Sequence, residues 1–125
     1  KIELKMPMLY NELIQEMSQY DCGLAGTPYP LKDFTDSMPN KLFEYVAAGI
    51  PVIAVNSKEA GKFLEDNELG LSVSDASEVP MAMERLRDHS VKSSRWKFTM
   101  ESEIPSLLHL YGDLCAPQQR YISQI

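Results

Sequence analysis

The chain has 125 residues, 44% of them hydrophobic and 24% charged, with twelve Lys or Arg against eighteen Asp or Glu for a net charge of -6. A chain of this size folds as one compact domain or as part of a larger one, burying roughly two thirds of its unfolded surface. The acidic balance gives no cationic footprint for a phosphate backbone, so a nucleic acid partner is not expected, and no apolar run approaches the roughly 20 residues of a membrane span.

In chain order, Lys1-Ile2-Glu3-Leu4-Lys5 alternates like a strand. No initiator Met, signal pattern or linker precedes it, so the sequence reads as a cytoplasmic fragment that starts inside a fold. Leu9, Leu13 and Met17 recur every four residues beside Tyr10, Ile14 and Tyr20, which predicts an amphipathic helix over residues 9–20 lying on a sheet. Cys22-Gly23-Leu24-Ala25 is a short apolar run expected as a buried parallel strand. The loop of residues 26–38 follows, with Pro28, Tyr29, Pro30 and Lys32. A stretch of that length without its own structure points to function, because ordering it costs backbone entropy with no core burial in return.

Pro39 suits the first turn of a helix, with Asp36 or Ser37 as cap, and Gly49 followed by Pro51 stops it. Residues 51–55 are a β-branched strand. Ser57 is placed to cap a helix over residues 58–66, with Ala60, Phe63 and Leu64 inward. Asn67 and Gly70 turn the chain into another short strand, residues 70–73. Helices are then expected over residues 79–89 with Met83 and Leu86 inward, over 93–100 with Trp96 as a buried anchor, and over 104–114 with Pro105 in the first turn. Met81, Met83 and Met100 read as core filler, and residues 116–125 as a polar tail. Cys22 and Cys115 are far apart without a CxxC or Cys/His cluster and read as buried free thiols; His89 and His109 are isolated, so no metal site is expected.

Strands alternating with helices predict an α/β fold, a Rossmann-like parallel sheet with flanking helices and a helical C-terminus. Such sheets take ligands beyond the carboxyl ends of their strands, where the 26–38 loop and the start of the next helix fall. Glu44 sits inside that otherwise greasy helix, sharing a stripe with Asn40, Lys41 and Ala48. Two readings stand side by side. In one, Lys41 and Glu44 are a solvated i,i+3 pair worth a few tenths of a kcal/mol. In the other, open amides near Ser37, Met38, Pro39 and Asn40 accept a phosphate at the positive end of the helix dipole. Glu44, about 6–9 Å further along the axis, then accepts two hydrogen bonds from a ribose diol.

Pro39, Lys41, Glu44, Tyr45, Ala47, Gly49, Pro51, Val52 and Ile53, then Glu65, Asp66, Gly70 and Val73, match the pattern x-P-x-K-x-x-E-[YA]-x-A-x-G-x-P-V-I followed by E-D-G-x-x-G-x-x-V. In these residues the chain resembles the C-terminal donor-binding region of GT-B-fold glycosyltransferases of group 1, the family 4-like enzymes. Asn67 stands where the family has glycine and is expected to take the left-handed turn. The resemblance implies that residues 1–115 are a partial donor-nucleotide-binding domain. Glu44 would hold the ribose of a UDP- or GDP-sugar and Asp36, eight residues earlier, would contact the transferred sugar. Asp36 departs from the family's glutamate, so helix capping is an equal reading of it. The backbone of Ser37, Met38, Pro39 and Asn40 would approach the sugar and diphosphate, Lys41 would pair with a carboxylate or the phosphate, and no metal would be required.

It further implies an N-terminal acceptor-binding domain and a basic clamp on the diphosphate that residues 1–35 do not supply, so the isolated chain is expected not to turn over. An open sheet edge is expected to favour self-association. The alternative reading is a non-catalytic α/β binding or interaction module that keeps the helix as scaffold. A phosphate-accepting receiver-type domain is disfavoured because no acidic cluster ends a first strand.

Overall fold

The computed structural model describes residues 2–27, 36–91 and 100–115. The elements in order are α1 (Tyr10–Met17), β1 (Gly23–Gly26), α2 (Asn40–Ala48), β2 (Val52–Val55), α3 (Lys58–Asp66), β3 (Gly70–Val73), a 3-10 turn (Ala76–Glu78), α4 (Val79–Leu86) and α5 (Met100–Cys115). The strands pair in parallel in the order β1-β2-β3, with Gly23 opposite Val52 and Val52 opposite Gly70. This is the α/β, Rossmann-like arrangement that the alternation of strands and helices predicts.

The layers follow from the strand residues. All four residues of β2 are buried. Val52 and Ala54 join Ala25, Leu42, Val46, Ala60, Leu64 and Leu69 under α2 and α3, whereas Ile53 and Val55 join Ala82 and Leu86 under α4. Phe43 of α2 meets Phe63 of α3 with ring centroids 5.6 Å apart, which locks the two helices side by side. A fully buried Leu, Ile or Val contributes about 1.5–3 kcal/mol, so these two small cores carry the fold.

Two helices end on the same motif with different residues. After α2, Gly49 takes φ 79°, its N–H donates to the Val46 carbonyl and the N–H of Ile50 donates to Tyr45. After α3, Glu68 takes φ 57°, its N–H donates to Glu65 and the N–H of Leu69 donates to Leu64 at 2.8 Å. The left-handed residue is therefore Glu68. Asn67 stays at φ -108° and donates its side-chain amide to the Phe63 carbonyl. Leu64 and Leu69, both fully buried, close the turn by contact and hold Glu68 in its costly conformation.

Other expectations are corrected. Residues 2–5 form no strand: Ile2 and Leu4 are exposed, and Lys5 pairs with Glu3 and Glu16. The first helix is shorter than residues 9–20 and packs on α2 rather than chiefly on the sheet, leaving Leu9, Tyr10 and Tyr20 exposed. Cys22 precedes β1 and is half-buried, a free thiol whose pKa is pushed up by burial and by Asp21. β1 is buried on one face only, because α4 lies over β2 and β3 and leaves Leu24 50% exposed. In α4 the inward pair is Ala82 and Leu86, one turn apart, so Met81 and Met83 face water instead of filling the core. Pro105 lies inside α5, where it removes one i to i-4 hydrogen bond, and not in its first turn. The helix over 93–100 with Trp96, Tyr29 and Lys32 of the loop, and the 116–125 tail lie outside the described residues except for Met100, which opens α5.

Replacing Glu68 by glycine removes the steric cost of a left-handed residue while keeping the turn. Glu68→Gly is expected to raise stability by about 1 kcal/mol in chemical denaturation; an unchanged or lower midpoint would show that the Glu68 side chain is itself stabilising.

Candidate functional site

Three backbone ties assemble the carboxyl edge of the sheet. Gly26 ends β1 at φ 105°, and a Cβ there would stand 2.0 Å from the Val55 carbonyl oxygen, so both conformation and space require glycine. Beyond it, Thr27 N–H donates to Val55 at 3.1 Å, while Asn56, at φ 52°, donates its side-chain amide to the Thr27 carbonyl at 3.0 Å. Asn56 N–H in turn donates to Val73 at 3.1 Å, linking the end of β2 to that of β3. Finally, the hydroxyl of Ser57, a buried residue, donates to the Ser37 carbonyl at 3.2 Å. That bond draws the segment ahead of α2 onto the edge.

The start of α2 differs from expectation by one residue. Pro39 is the N-cap and not the first helical residue, and its carbonyl accepts from Leu42 N–H at 3.0 Å. Among the described residues no side chain caps the helix, so neither Asp36 nor Ser37 does so; Asp36 is exposed, and half-buried Ser37 has its carbonyl held by Ser57. Met38, Asn40 and Lys41 are exposed at the same end. The first amides of any α-helix have no partner within the helix, and with a proline at the cap no side-chain oxygen of the described residues closes them.

Glu44 lies one turn in, about 6 Å along the axis from Asn40 at the usual rise, and is half-buried. Among the described residues Lys41 and Glu44 do not pair, although i,i+3 and i,i+4 ion pairs form elsewhere, Arg87 with Glu84 and Lys62 with Asp66. Ala48, expected on the polar stripe with Glu44, is buried. Next to Glu44, the ring of Tyr45 packs directly on Gly23. Burial pushes the Tyr45 phenol above its ordinary value, with the negative charges of Glu44 and Cys22 adding to the effect.

From Asn56 and Ser57 an open groove of about 430 Å³ runs along α3 past Lys58, Lys62 and Ser72. Three of its charges are engaged locally: Lys62 pairs with Asp66, and the Glu65 carboxylate accepts from the N–H and hydroxyl of Ser72 at 3.1 and 2.6 Å. Among the described residues there is no group of three His, Cys, Asp or Glu side chains that could hold a metal ion, and no helix is long and apolar enough to cross a membrane.

A family profile, glucosyltransferase 3-like, C-terminal domain, matches residues 2–112. The chain belongs to this family. No curated protein and no solved structure matches it. The glucosyltransferase 3-like domain thus brings Ser37, Met38, Pro39 and Asn40 to the carboxyl edge of its sheet, with Lys41 and Glu44 on the helix that begins there. Sequence reasoning missed the ties that place them: Gly26, Asn56, and Ser57 in any role beyond a cap. Asn-Ser directly after an apolar strand is a turn signal; the partners of that turn, 29 and 20 residues away, are not readable from spacing.

Because the folded domain holds the Tyr45 proton more tightly than the unfolded chain does, the stability this residue contributes is complete below the unfolded phenol value of about 10. It drains away as pH rises through the higher folded value. Tyr45→Phe is expected to flatten the alkaline limb of a melting-temperature profile; identical limbs in both proteins would refute the assignment.

Proposed function

We propose that this glucosyltransferase 3-like domain is the donor-binding region of a GT-B glycosyltransferase similar to the group 1, family 4-like enzymes, and that its ligand is a UDP- or GDP-sugar. One observation carries the reading: in a chain matched to a glucosyltransferase family over residues 2–112, a helix start that no described side chain caps is tied to the carboxyl edge of a parallel sheet by the Ser57–Ser37 hydrogen bond. The amides around Met38 and Asn40 accept the diphosphate at the positive end of α2. Glu44 accepts two hydrogen bonds from the ribose diol, and Asp36 contacts the transferred sugar. Pro39 supplies shape and no donor. Lys41, unpaired with Glu44 and exposed on the first turn of α2, is a base for the phosphate.

The bound diphosphate is held here without a metal ion. Its charge as a leaving group is stabilised further by basic side chains from an earlier part of the C-terminal domain, and the acceptor is held by an N-terminal domain, so this chain by itself binds donor without turning it over. We place the reaction in the cytoplasm, where nucleotide-sugars are at hand. We also propose that the outer edge of β1, which pairs with no strand among the described residues, lets two copies associate. Sedimentation across a concentration series is expected to show a dimer, and a single monomer throughout would dispose of that part.

Titration with UDP and with GDP, followed by amide chemical shifts, tests the donor reading. Shifts clustered at residues 37–44 are expected with one of them, and Glu44→Ala is expected to weaken that binding about tenfold or more, as loss of charge-assisted bonds to a diol does. No response of the unaltered chain to millimolar nucleotide would favour a non-catalytic α/β interaction module.

A further inference from the structure

Ser57 occupies the N-cap of α3, where a serine hydroxyl ordinarily accepts from the second or third amide of its own helix. Here no such bond forms. Ser57 is 5% exposed, and its hydroxyl donates instead to the carbonyl of Ser37, twenty residues earlier. The consequence falls on the next amide. A trans peptide holds its C=O and N–H in opposite directions, and no peptide bond among the described residues is cis. With the Ser37 oxygen drawn toward Ser57, the N–H of Met38 points away from Ser57. Among the described residues that N–H meets no acceptor, and Met38 is 38% exposed. Pro39 follows without an N–H, so Met38 carries the last donor before Asn40 opens α2.

We infer that Ser57 is a positioning residue of the donor site: it sets the Ser37–Met38 peptide so that the Met38 N–H joins the first amides of α2 in donating to the diphosphate of the nucleotide. The inference rests on the donor-binding reading above. Rotation of this one peptide would replace a donor by a carbonyl oxygen and set a partial negative charge against the phosphate. A buried hydroxyl bonded across 20 residues is a direct means of blocking that rotation. It acts on the anion through the backbone and touches neither base nor ribose, which gives it a signature distinct from that of Glu44.

The test compares Ser57→Ala, Ser57→Thr and Ser57→Val with the unaltered chain, using the nucleoside diphosphate that binds and its parent nucleoside as probes. Ser57→Ala is expected to weaken the diphosphate about tenfold, the size of one hydrogen bond to a charged group, with nucleoside affinity unchanged. The Met38 amide resonance is expected to move on diphosphate binding in the unaltered chain and to stay put in Ser57→Ala. Ser57→Thr and Ser57→Val are alike in shape and differ in the hydroxyl, so if Ser57→Ala melts too low to titrate, diphosphate binding retained by Thr and lost by Val supports the role. Equal diphosphate affinity in all four proteins, or equal loss for diphosphate and nucleoside, overturns the role of Ser57 and leaves the donor reading standing. An unaltered chain that responds to neither UDP nor GDP overturns both.

Discussion

Burial of β2 on both faces is the constraint from which the rest of the domain follows. A strand with Val52 and Ala54 under α2 and α3 and Ile53 and Val55 under α4 pairs in parallel on each side, and each connection returns across a face. The connecting helices then run against the strands, so α2 and α3 begin at the carboxyl edge whatever their sequences. That edge gathers helix N-termini, polar turn residues and the open ends of strands in one place. The site is a by-product of how the core is covered, and Gly26, Asn56 and Ser57 refine it by fixing distances along the edge.

The fold class was legible because its signals are local and redundant. Gly49 and Pro51 bracket a helix stop, the β-branched run after them is too short for a helix, and the same pattern recurs one unit later. Where a pattern met a single ambiguous residue the reading slipped. Ile2 and Leu4 alternate like a strand, but alternation forms a strand only beside a partner, and among the described residues none pairs with it. Met83 and Ala82 are neighbours on α4, and hydrophobicity favours the methionine; the close approach of α4 to Ile53 and Val55 favours the smaller side chain. At the end of α3 propensity favours Asn67 for the left-handed position, whereas the packing of Leu69 on Leu64 fixes the register of the turn and assigns that position to Glu68. The first miss is a missing partner, and the other two are tertiary contacts overruling a one-residue preference.

The candidate site divides the same way. The helix that carries Glu44, and its start near Pro39, follow from composition and from the resemblance to a donor-binding motif. Why that start stays open is a long-range matter. Ser37 and Asp36 have the chemistry of caps, yet the Ser37 carbonyl is claimed by Ser57 and the cap position passes to Pro39, which has no side-chain oxygen to offer. Nothing in the segment 36–40 announces a partner twenty residues on.

Capping also differs along the edge, and in a way that bears on charge. After β3 the turn is closed by an acid: the Asp75 carboxylate accepts from the Ser77 N–H at 2.8 Å, and those hydrogen bonds hold its pKa below the usual carboxylate value. A fixed negative charge at that helix start repels a second anion. After β1 and β2 no side chain of the described residues caps α2 or α3. Caps supplied by the described residues are thus unevenly distributed along the carboxyl edge, in a chain whose net charge of -6 offers no general attraction for phosphate. On the proposed donor-binding reading, selectivity for a diphosphate at the start of α2 draws on where backbone donors are left uncovered and how firmly hydrogen bonds such as Ser57 to Ser37 aim them, with Lys41 as the basic side chain at that end.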